Sequence, residues 1–167
     1  MTLIIIGNII SFIGAGLMVL IGFIKEKKNV LIAQCGQFAI LGIANLVLGG
    51  VTGFISNMVS IVRNIIVIYF PFTLPLKIIF IVLQLALSIP FNTQGAIGYL
   101  PVAAAAIFTW FLDTKSDVTL KIVIILTEIL WIIYDISLFN FTSMAFDIFT
   151  LISNGIGIIM IMKSRNR

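Results

Sequence analysis

The chain has 167 residues, of which 61% are hydrophobic and only 10% carry a charge, with a formal net charge of +4. Its mean hydropathy is +1.26, whereas about 25% of the residues in a typical soluble domain are charged. Apolar runs of about 18 residues or more recur along the chain, and each is a candidate membrane-spanning helix. A soluble domain of this size has too little interior to hide so many apolar runs. We therefore predict an all-α polytopic membrane protein, with residues 1–167 forming a single membrane domain.

Several classes of function are excluded by the residue types. The chain has no histidine, and its single cysteine, Cys35, lies inside an apolar run. A disulfide and a nucleophile paired with histidine are therefore excluded, and the usual zinc and iron–sulfur ligand sets are absent. The sequence also has no basic stripe of the kind that binds nucleic acid. We expect no enzyme activity, no cofactor, no metal site and no nucleic-acid partner.

Seven spanning helices are predicted, separated by breaks rich in charge, glycine or proline. The first apolar run lacks the basic region of a signal peptide and is too long for its apolar core, so we interpret it as a retained span. In chain order the predicted spans cover residues 3–24, 30–48, 53–70, 74–90, 96–112, 118–138 and 142–162.

The basic residues indicate how the spans are oriented. With seven spans, nine of the ten fall on one side of the membrane, namely Lys25, Lys27, Lys28, Lys77, Lys115, Lys121, Lys163, Arg165 and Arg167. The connections on the other side, at 49–53, 90–95 and 137–143, contain no lysine or arginine. Because basic loops stay on the cytoplasmic side, we predict that the N-terminus lies outside and the C-terminus in the cytoplasm. Arg63 is the one basic residue that this rule does not explain.

The sequence also repeats itself after a shift of 90 residues. Polar residues then align with polar residues, as in Asn45 with Asp135, Asn57 with Asp147, Ser60 with Thr150 and Asn64 with Asn154. We therefore predict two parallel three-helix repeats, at 1–70 and 92–167, joined by a linker helix at 71–91 (a 3+1+3 arrangement). Transporters built from such repeats bind their solute between them, near the middle of the bilayer.

Four of the spans carry a polar stripe along one helical face. The stripes contain Gln34, Gln37 and Asn45 in span 2, Asn57, Ser60 and Asn64 in span 3, Glu128, Trp131 and Asp135 in span 6, and Asp147, Thr150 and Asn154 in span 7. Unsatisfied polar groups in hydrocarbon are costly, so the stripes should face one another or a wet cavity. Simple interhelical hydrogen bonds are the alternative, and we favour it for the polar residues of span 2. Asn64 and Asn154 lie near mid-membrane and are expected to line a cavity, whereas Asp135 and Asp147 lie nearer the outer rim.

Three side chains, Arg63, Glu128 and Trp131, are unusual at their predicted depth in the membrane. Arg63 and Glu128 each lie about ten residues from the outer end of their spans, which places them at nearly equal depth. Because a charge at that depth is costly, we predict that they pair, directly or through water, either as a structural lock or as a gate. Trp131 lies near mid-depth, away from the membrane interface where tryptophan is usually found. It either packs in the protein or stacks on a solute.

Two sequence features carry a resemblance to known families. Two parallel three-helix units joined by a linker helix resemble the SWEET sugar transporters and the vitamin-precursor transporters of the PnuC type (MtN3-like). The stretch at 53–64 reads GFISNMVSIVRN, and with the lysine-rich first turn it looks like the YgjV family of bacterial inner-membrane proteins. The SWEET resemblance implies that asparagines on the third and seventh helices face the substrate. It points to Asn154 in ISNGIG and to either Asn64 or Asn57.

The function that these patterns favour is a carrier or facilitator for a small polar solute, such as a sugar or a vitamin precursor, working by alternating access. The substrate-binding residues would be Asn57, Asn64, Asn154 and Trp131, the gate or ion pair would be Arg63 and Glu128, and the secondary polar residues would be Gln37, Ser60, Asp147 and Thr150. The alternative is a non-transporting partner subunit or sensor. The expected surroundings are the lipid bilayer of the bacterial inner membrane. A homo-oligomer is compatible with the sequence but is not required.

Overall fold

A computed structural model describes residues 1–21, 24 and 26–165. In this part of the chain all of the regular secondary structure is helical, and the helices are joined by turns. Seven α-helices follow one another, as predicted, with ends within a few residues of those expected. They are α1 (Thr2–Ile21), α2 (Lys27–Val47), α3 (Val51–Tyr69), α4 (Leu74–Phe91), α5 (Leu100–Phe111), α6 (Asp117–Ser137) and α7 (Phe141–Arg165). A short 3₁₀ turn, Ile97–Tyr99, precedes α5. Lys25 and Arg167, which support the predicted orientation, lie outside the described residues.

Five of the helices are long and apolar enough to cross a membrane, namely α1, α2, α3, α4 and α7. The other two depart from that pattern for different reasons. In α5 the proline at 101 lies in the first turn, where its fixed φ angle is favourable, and the helix has only 12 residues. The sequence of α6 is interrupted by charge, since it contains Asp117, Lys121, Glu128 and Asp135. Seven helices are therefore confirmed, and five of them qualify as spans by length and composition.

Six of the helices form a closed ring. In order around the ring they are α1, α2, α3, α5, α6 and α7, with α7 returning to α1. The remaining helix, α4, packs on the outside against α3 and α5. Gln84 of α4 donates to the hydroxyl of Ser56 on α3 at 2.7 Å, which fixes α4 to the ring through a buried polar contact. In the sequence, the only indication of this contact is that Gln84 is a lone glutamine within an apolar run.

The interior is rich in polar side chains, and large apolar side chains cover the outside. The largest fully buried side chains are Arg63, Tyr134, Gln84, Asn64 and Asn140. The exposed surface carries dozens of large apolar side chains from every helix of the ring and from α4. This distribution is the reverse of a soluble protein and suits a chain whose outer surface meets lipid.

Two turns of the same shape close one end of the ring. In the turn after α2 the amide of Gly50 donates to the carbonyl of Asn45 at 2.7 Å, and in the turn after α6 the amide of Asn140 donates to the carbonyl of Asp135 at 2.9 Å. The preceding residues have matching positive φ angles of 83° at Gly49 and 56° at Phe139. The two turns approach each other, because a Cβ on Gly50 would lie 2.6 Å from Leu138. We refer to the end that carries residues 48–50 and 138–140 as the turn end.

The connections at the other end carry charge. Lys77, near the start of α4, forms a salt bridge with Asp113, which follows α5. Its ammonium group also donates to the carbonyl of Trp110 at 3.0 Å. Lys77 was expected to lie on the basic side of the membrane, and this contact joins it to the connection that carries Lys115.

Candidate functional site

A cavity of about 310 Å³ lies in the middle of the six-helix ring. Every helix of the ring contributes to its lining, and α4 contributes nothing. Binding sites for small molecules usually have volumes of about 300–1,000 Å³, so this cavity is at the lower end of that range. The lining includes most of the predicted site residues, namely Gln37, Asn57, Ser60, Arg63, Glu128, Trp131, Asp147, Thr150 and Asn154.

The lining positions recur after 90 residues. All lining positions on α2 have counterparts on α6, giving the pairs 34 and 124, 37 and 127, 38 and 128, 41 and 131, and 45 and 135. On α3 and α7 the pairs are 57 with 147 and 60 with 150. Helices α2 and α6 also begin and end 90 residues apart. The two halves of the ring therefore present corresponding faces to the cavity.

Asn64 differs from its expected place. It is fully buried but is not among the residues that line the cavity. Its amide nitrogen donates to the side-chain carbonyl of Gln34 at 3.1 Å, and its carbonyl oxygen accepts from Arg63. The expectation that Asn64 lines the cavity is therefore not met. It packs between α2 and α3 and positions the arginine.

The two other predicted asparagines line the cavity. Asn57 donates one amide hydrogen to the carbonyl of Gly53 at 3.0 Å, and Asn154 donates one to the carbonyl of Thr150 at 2.8 Å. These are bonds to the preceding turn of the same helix, and they hold the side chains against their own backbones. Each side-chain amide retains an oxygen and a second N–H, which are free to bind a polar solute.

Arg63 is 2% exposed and lines the cavity from α3. It donates to Thr109 on α5 at 3.1 Å and to Asn64 at 3.1 and 3.3 Å. Its guanidinium carbon lies 5.3 Å from the centre of the Phe108 ring, a favourable cation–π distance. Within the described part of the chain the only salt bridge joins Lys77 and Asp113. The predicted direct pair between Arg63 and Glu128 is therefore replaced by bonds to neutral groups.

Glu128 belongs instead to a group of three acids. Glu128 and Asp135 on α6 and Asp147 on α7 all line the cavity. We refer to Glu128, Asp135 and Asp147 as the acidic group. Asp135 is 2% exposed, and Asn140 from the following turn donates to its carboxylate at 3.3 Å. Asp135 lies near the end of α6, as its position predicts, but it is buried under the following turn and not solvated.

Two further residues shape the site, namely Asn45 from the predicted polar stripe of span 2 and Tyr134, which the sequence did not single out. Asn45 lines the cavity at 4% exposure, and its side-chain oxygen has no hydrogen-bond partner, whereas an interhelical bond was favoured for it. Tyr134 is fully buried, and its hydroxyl accepts from the amide of Gly53 at 3.0 Å. Its ring meets that of Trp131 edge-on at 5.8 Å. The only feature of the sequence that could have indicated a role for Tyr134 is its place directly before Asp135.

Apolar helices arranged around a buried polar cavity define a polytopic membrane protein. The chain matches the bacterial inner membrane protein family Imp-YgjV over residues 5–165 and belongs to it. The expected YgjV resemblance and the location in the bacterial inner membrane are confirmed. Searches for similar chains found no match among curated proteins and none among solved structures. The resemblance to SWEET and PnuC-type transporters stays a prediction.

Proposed function

We propose that this protein is a carrier for a small polar solute, which binds in the central cavity and crosses the bilayer by alternating access. The observation that carries the proposal is the cavity of about 310 Å³, enclosed by six helices and lined by charged and amide side chains. Polar groups inside a membrane protein are costly and commonly mark a path for a solute or ion. One chain supplies the whole ring, so no second copy is needed to complete the site.

The moving parts would be two parallel units, α1–α3 and α5–α7, with α4 as the linker. The 90-residue recurrence of the lining positions and the matched turns at 48–50 and 138–140 support this division. The position of α4 outside the ring suits a linker. The bias of lysine and arginine towards one side supports an N-terminus outside, which would place the turn end at the outer face.

Hydrogen bonds between the two units bridge the turn end. Asn8 on α1 donates to the carbonyl of Phe139 and accepts from the backbone and hydroxyl of Thr142, each at 2.9 Å. Tyr134 on α6 accepts from Gly53 on α3. Opening the cavity towards this end would require these contacts to break. The described conformation therefore corresponds, in this proposal, to the state closed at the turn end.

The decisive experiment is solute uptake by the purified protein in proteoliposomes, over a panel of labelled sugars, nucleosides, vitamins and amino acids. Two variants on the same helix provide the comparison. Ala105→Phe places a ring in the cavity lining, whereas Ala103→Phe places the same ring on the exposed outer surface of α5. We expect the wild type and Ala103→Phe to carry the same solute, and Ala105→Phe to lose uptake while keeping its folded, monodisperse state.

A second candidate is a partner subunit or sensor that transports nothing. The bond between Asn64 and Gln34 favours it, because this pair is an interhelical contact of the expected kind. If uptake is the same for the wild type, both variants and empty liposomes, the proposal that the protein is a carrier is wrong. The second candidate function then stands.

A further inference from the structure

One side of the cavity holds negative charge without a basic partner. Glu128, Asp135 and Asp147 all line this side of the cavity. Carboxylates that face one site repel one another, and a cation placed between them relieves this repulsion. Among the described residues that line the cavity, the only basic side chain is Arg63, and its contacts include none of the three acids. The acidic group therefore suits a ligand with a positive charge.

Asn45 independently supports a ligand that carries a hydrogen-bond donor on this side of the cavity. Its side-chain oxygen is buried without a hydrogen-bond partner, and it lines the same cavity. Buried acceptors are nearly always paired in native proteins. Asn45 is also the 90-residue counterpart of Asp135, so it faces the cavity from the opposite half of the ring. A ligand that carries N–H donors would satisfy both the amide oxygen and the carboxyl groups.

Arg63 offers the opposite charge deeper in the cavity. Its three hydrogen bonds use three of the five N–H groups of a guanidinium. No carboxylate lies within salt-bridge distance in the described part of the chain. A buried guanidinium with spare donors is well suited to bind a planar anionic group such as a carboxylate.

The axial distance between the two charges indicates the size of the ligand. Both α3 and α7 begin at the turn end. At a rise of about 1.5 Å per residue, the Cα of Asp147 lies roughly 9 Å and the Cα of Arg63 roughly 18 Å from that end, which sets the scale of the axial separation between the two side chains. Two charge-assisted hydrogen bonds span about 2.8 Å each, which leaves roughly 3–4 Å for the ligand. An ammonium and a carboxylate on one carbon fit that length. A lateral separation between the two side chains would lengthen the distance that the ligand has to span. An α-amino acid is therefore the shortest molecule that bridges both charges.

We infer that the solute is a small zwitterion, with its ammonium group among Glu128, Asp135, Asp147 and the oxygen of Asn45, and with its anionic group on Arg63. This inference rests on the proposed function and names the substrate class of the same cavity. The ligand satisfies each buried charge with one of the opposite sign. A neutral sugar would leave both charges without a counter-charge.

The test is ligand-induced thermal stabilisation of the purified protein in detergent. The probes are the α-amino acids, β-alanine and γ-aminobutyrate, together with matched analogues that keep one charge. For alanine the analogues are ethylamine and propionate, for serine ethanolamine and 3-hydroxypropionate, and for leucine isoamylamine and 4-methylpentanoate. We expect at least one zwitterion to raise the Tm by several degrees at about 100 times its Kd. At the same concentration its two analogues should leave the Tm unchanged.

Variants then locate the two charges. Asp147→Asn and Arg63→Gln should each weaken binding of that zwitterion by about tenfold or more, the effect expected on losing one charge-assisted hydrogen bond. Asp113→Asn removes a carboxylate outside the cavity and should bind normally. If Arg63→Gln does not fold, Arg63→Lys keeps the charge but loses the planar fork, and it should bind more weakly than the wild type.

The result that overturns the inference is stabilisation by sugars, nucleosides or single-charge analogues equal to that by zwitterions, or no stabilisation by any zwitterion. Uptake in proteoliposomes separates the two proposals. If a neutral solute is carried while no zwitterion binds, the substrate class is wrong and the carrier stands. If a zwitterion binds in the expected pattern but no solute is carried, the substrate class stands and the carrier is wrong.

Discussion

Removing the hydroxyl of Tyr134 should destabilise the protein more than its single oxygen suggests. The amide of Gly53 lies in the first turn of α3, where no carbonyl of the same helix can accept from it. The N-cap position is Gly50, which has no side chain to provide a cap. Tyr134 therefore caps α3 from α6, at 3.0 Å, and its hydroxyl also lies 3.3 Å from that of Thr52. In Tyr134→Phe, the Gly53 amide and the Thr52 hydroxyl both lose their partner.

The expected loss can be estimated from these contacts. An unsatisfied buried donor costs about 1–3 kcal/mol, and the threonine hydroxyl can turn to its own backbone to recover part of its bond. We expect a fall of about 1.5–3 kcal/mol in the free energy of unfolding, which corresponds to roughly 4–10 °C in Tm for a chain of this size. The measurements are thermal unfolding in detergent and amide hydrogen exchange at Gly53, which should become faster.

Tyr69→Phe is the matched control for this prediction. Tyr69 is the last residue of α3 and is 71% exposed, so loss of its hydroxyl should leave the Tm unchanged. If Tyr134→Phe and Tyr69→Phe unfold at the same temperature, the cross-helix cap contributes nothing and the reasoning is wrong. Unchanged exchange at Gly53 would contradict it independently.

Four further variants test other parts of the fold by thermal unfolding. Gly49→Ala should destabilise the protein by about 1–2 kcal/mol, because Gly49 has a φ of +83°. Gly16 lies inside α1 with no atom near the position of an added Cβ, so Gly16→Ala should stabilise the protein by about 0.5–1 kcal/mol. Two variants with the same sign would contradict the backbone argument. Gly53→Ala places a Cβ 2.9 Å from the amide nitrogen of Asn45 and should cost about 1–3 kcal/mol, and a neutral result would mean that the helices separate easily. Asp113→Asn breaks the salt bridge with Lys77 and should cost at most about 1 kcal/mol because its carboxylate is half exposed. A larger loss would show that this bridge holds α4 in place.

Much of the fold could be predicted because apolar runs and their breaks are local properties of the chain. The two turns with the same backbone shape, one with Gly49 and the other with Phe139 at the position of positive φ, lie 90 residues apart. The order of helices around the ring was not accessible in this way. Depth along a helix can be counted from its ends, but lateral neighbours depend on packing over the whole chain.

That distinction explains the errors at the site. Arg63 and Glu128 were paired because their depths agree, yet Arg63 meets Thr109 on α5. Asn64 lies on the predicted polar face of α3, but Arg63 and not Asn64 is part of the cavity lining. Asp135 lies near the end of α6, as predicted, but its burial by Asn140 of the next turn was not anticipated. Each error concerns a neighbour from another segment.

The charges of the cavity follow from how the two halves differ. The pairs Asn45 with Asp135 and Asn57 with Asp147 keep side chains of nearly the same shape and replace an amide by a carboxyl group. Arg63 has Ser153 as its counterpart. The first half therefore contributes the positive charge and the second half the negative charges, within a lining that is otherwise matched. A symmetric site would present equal charges to both ends of a bound solute. This asymmetric one presents opposite charges, which is the arrangement that a zwitterion requires in a fixed orientation.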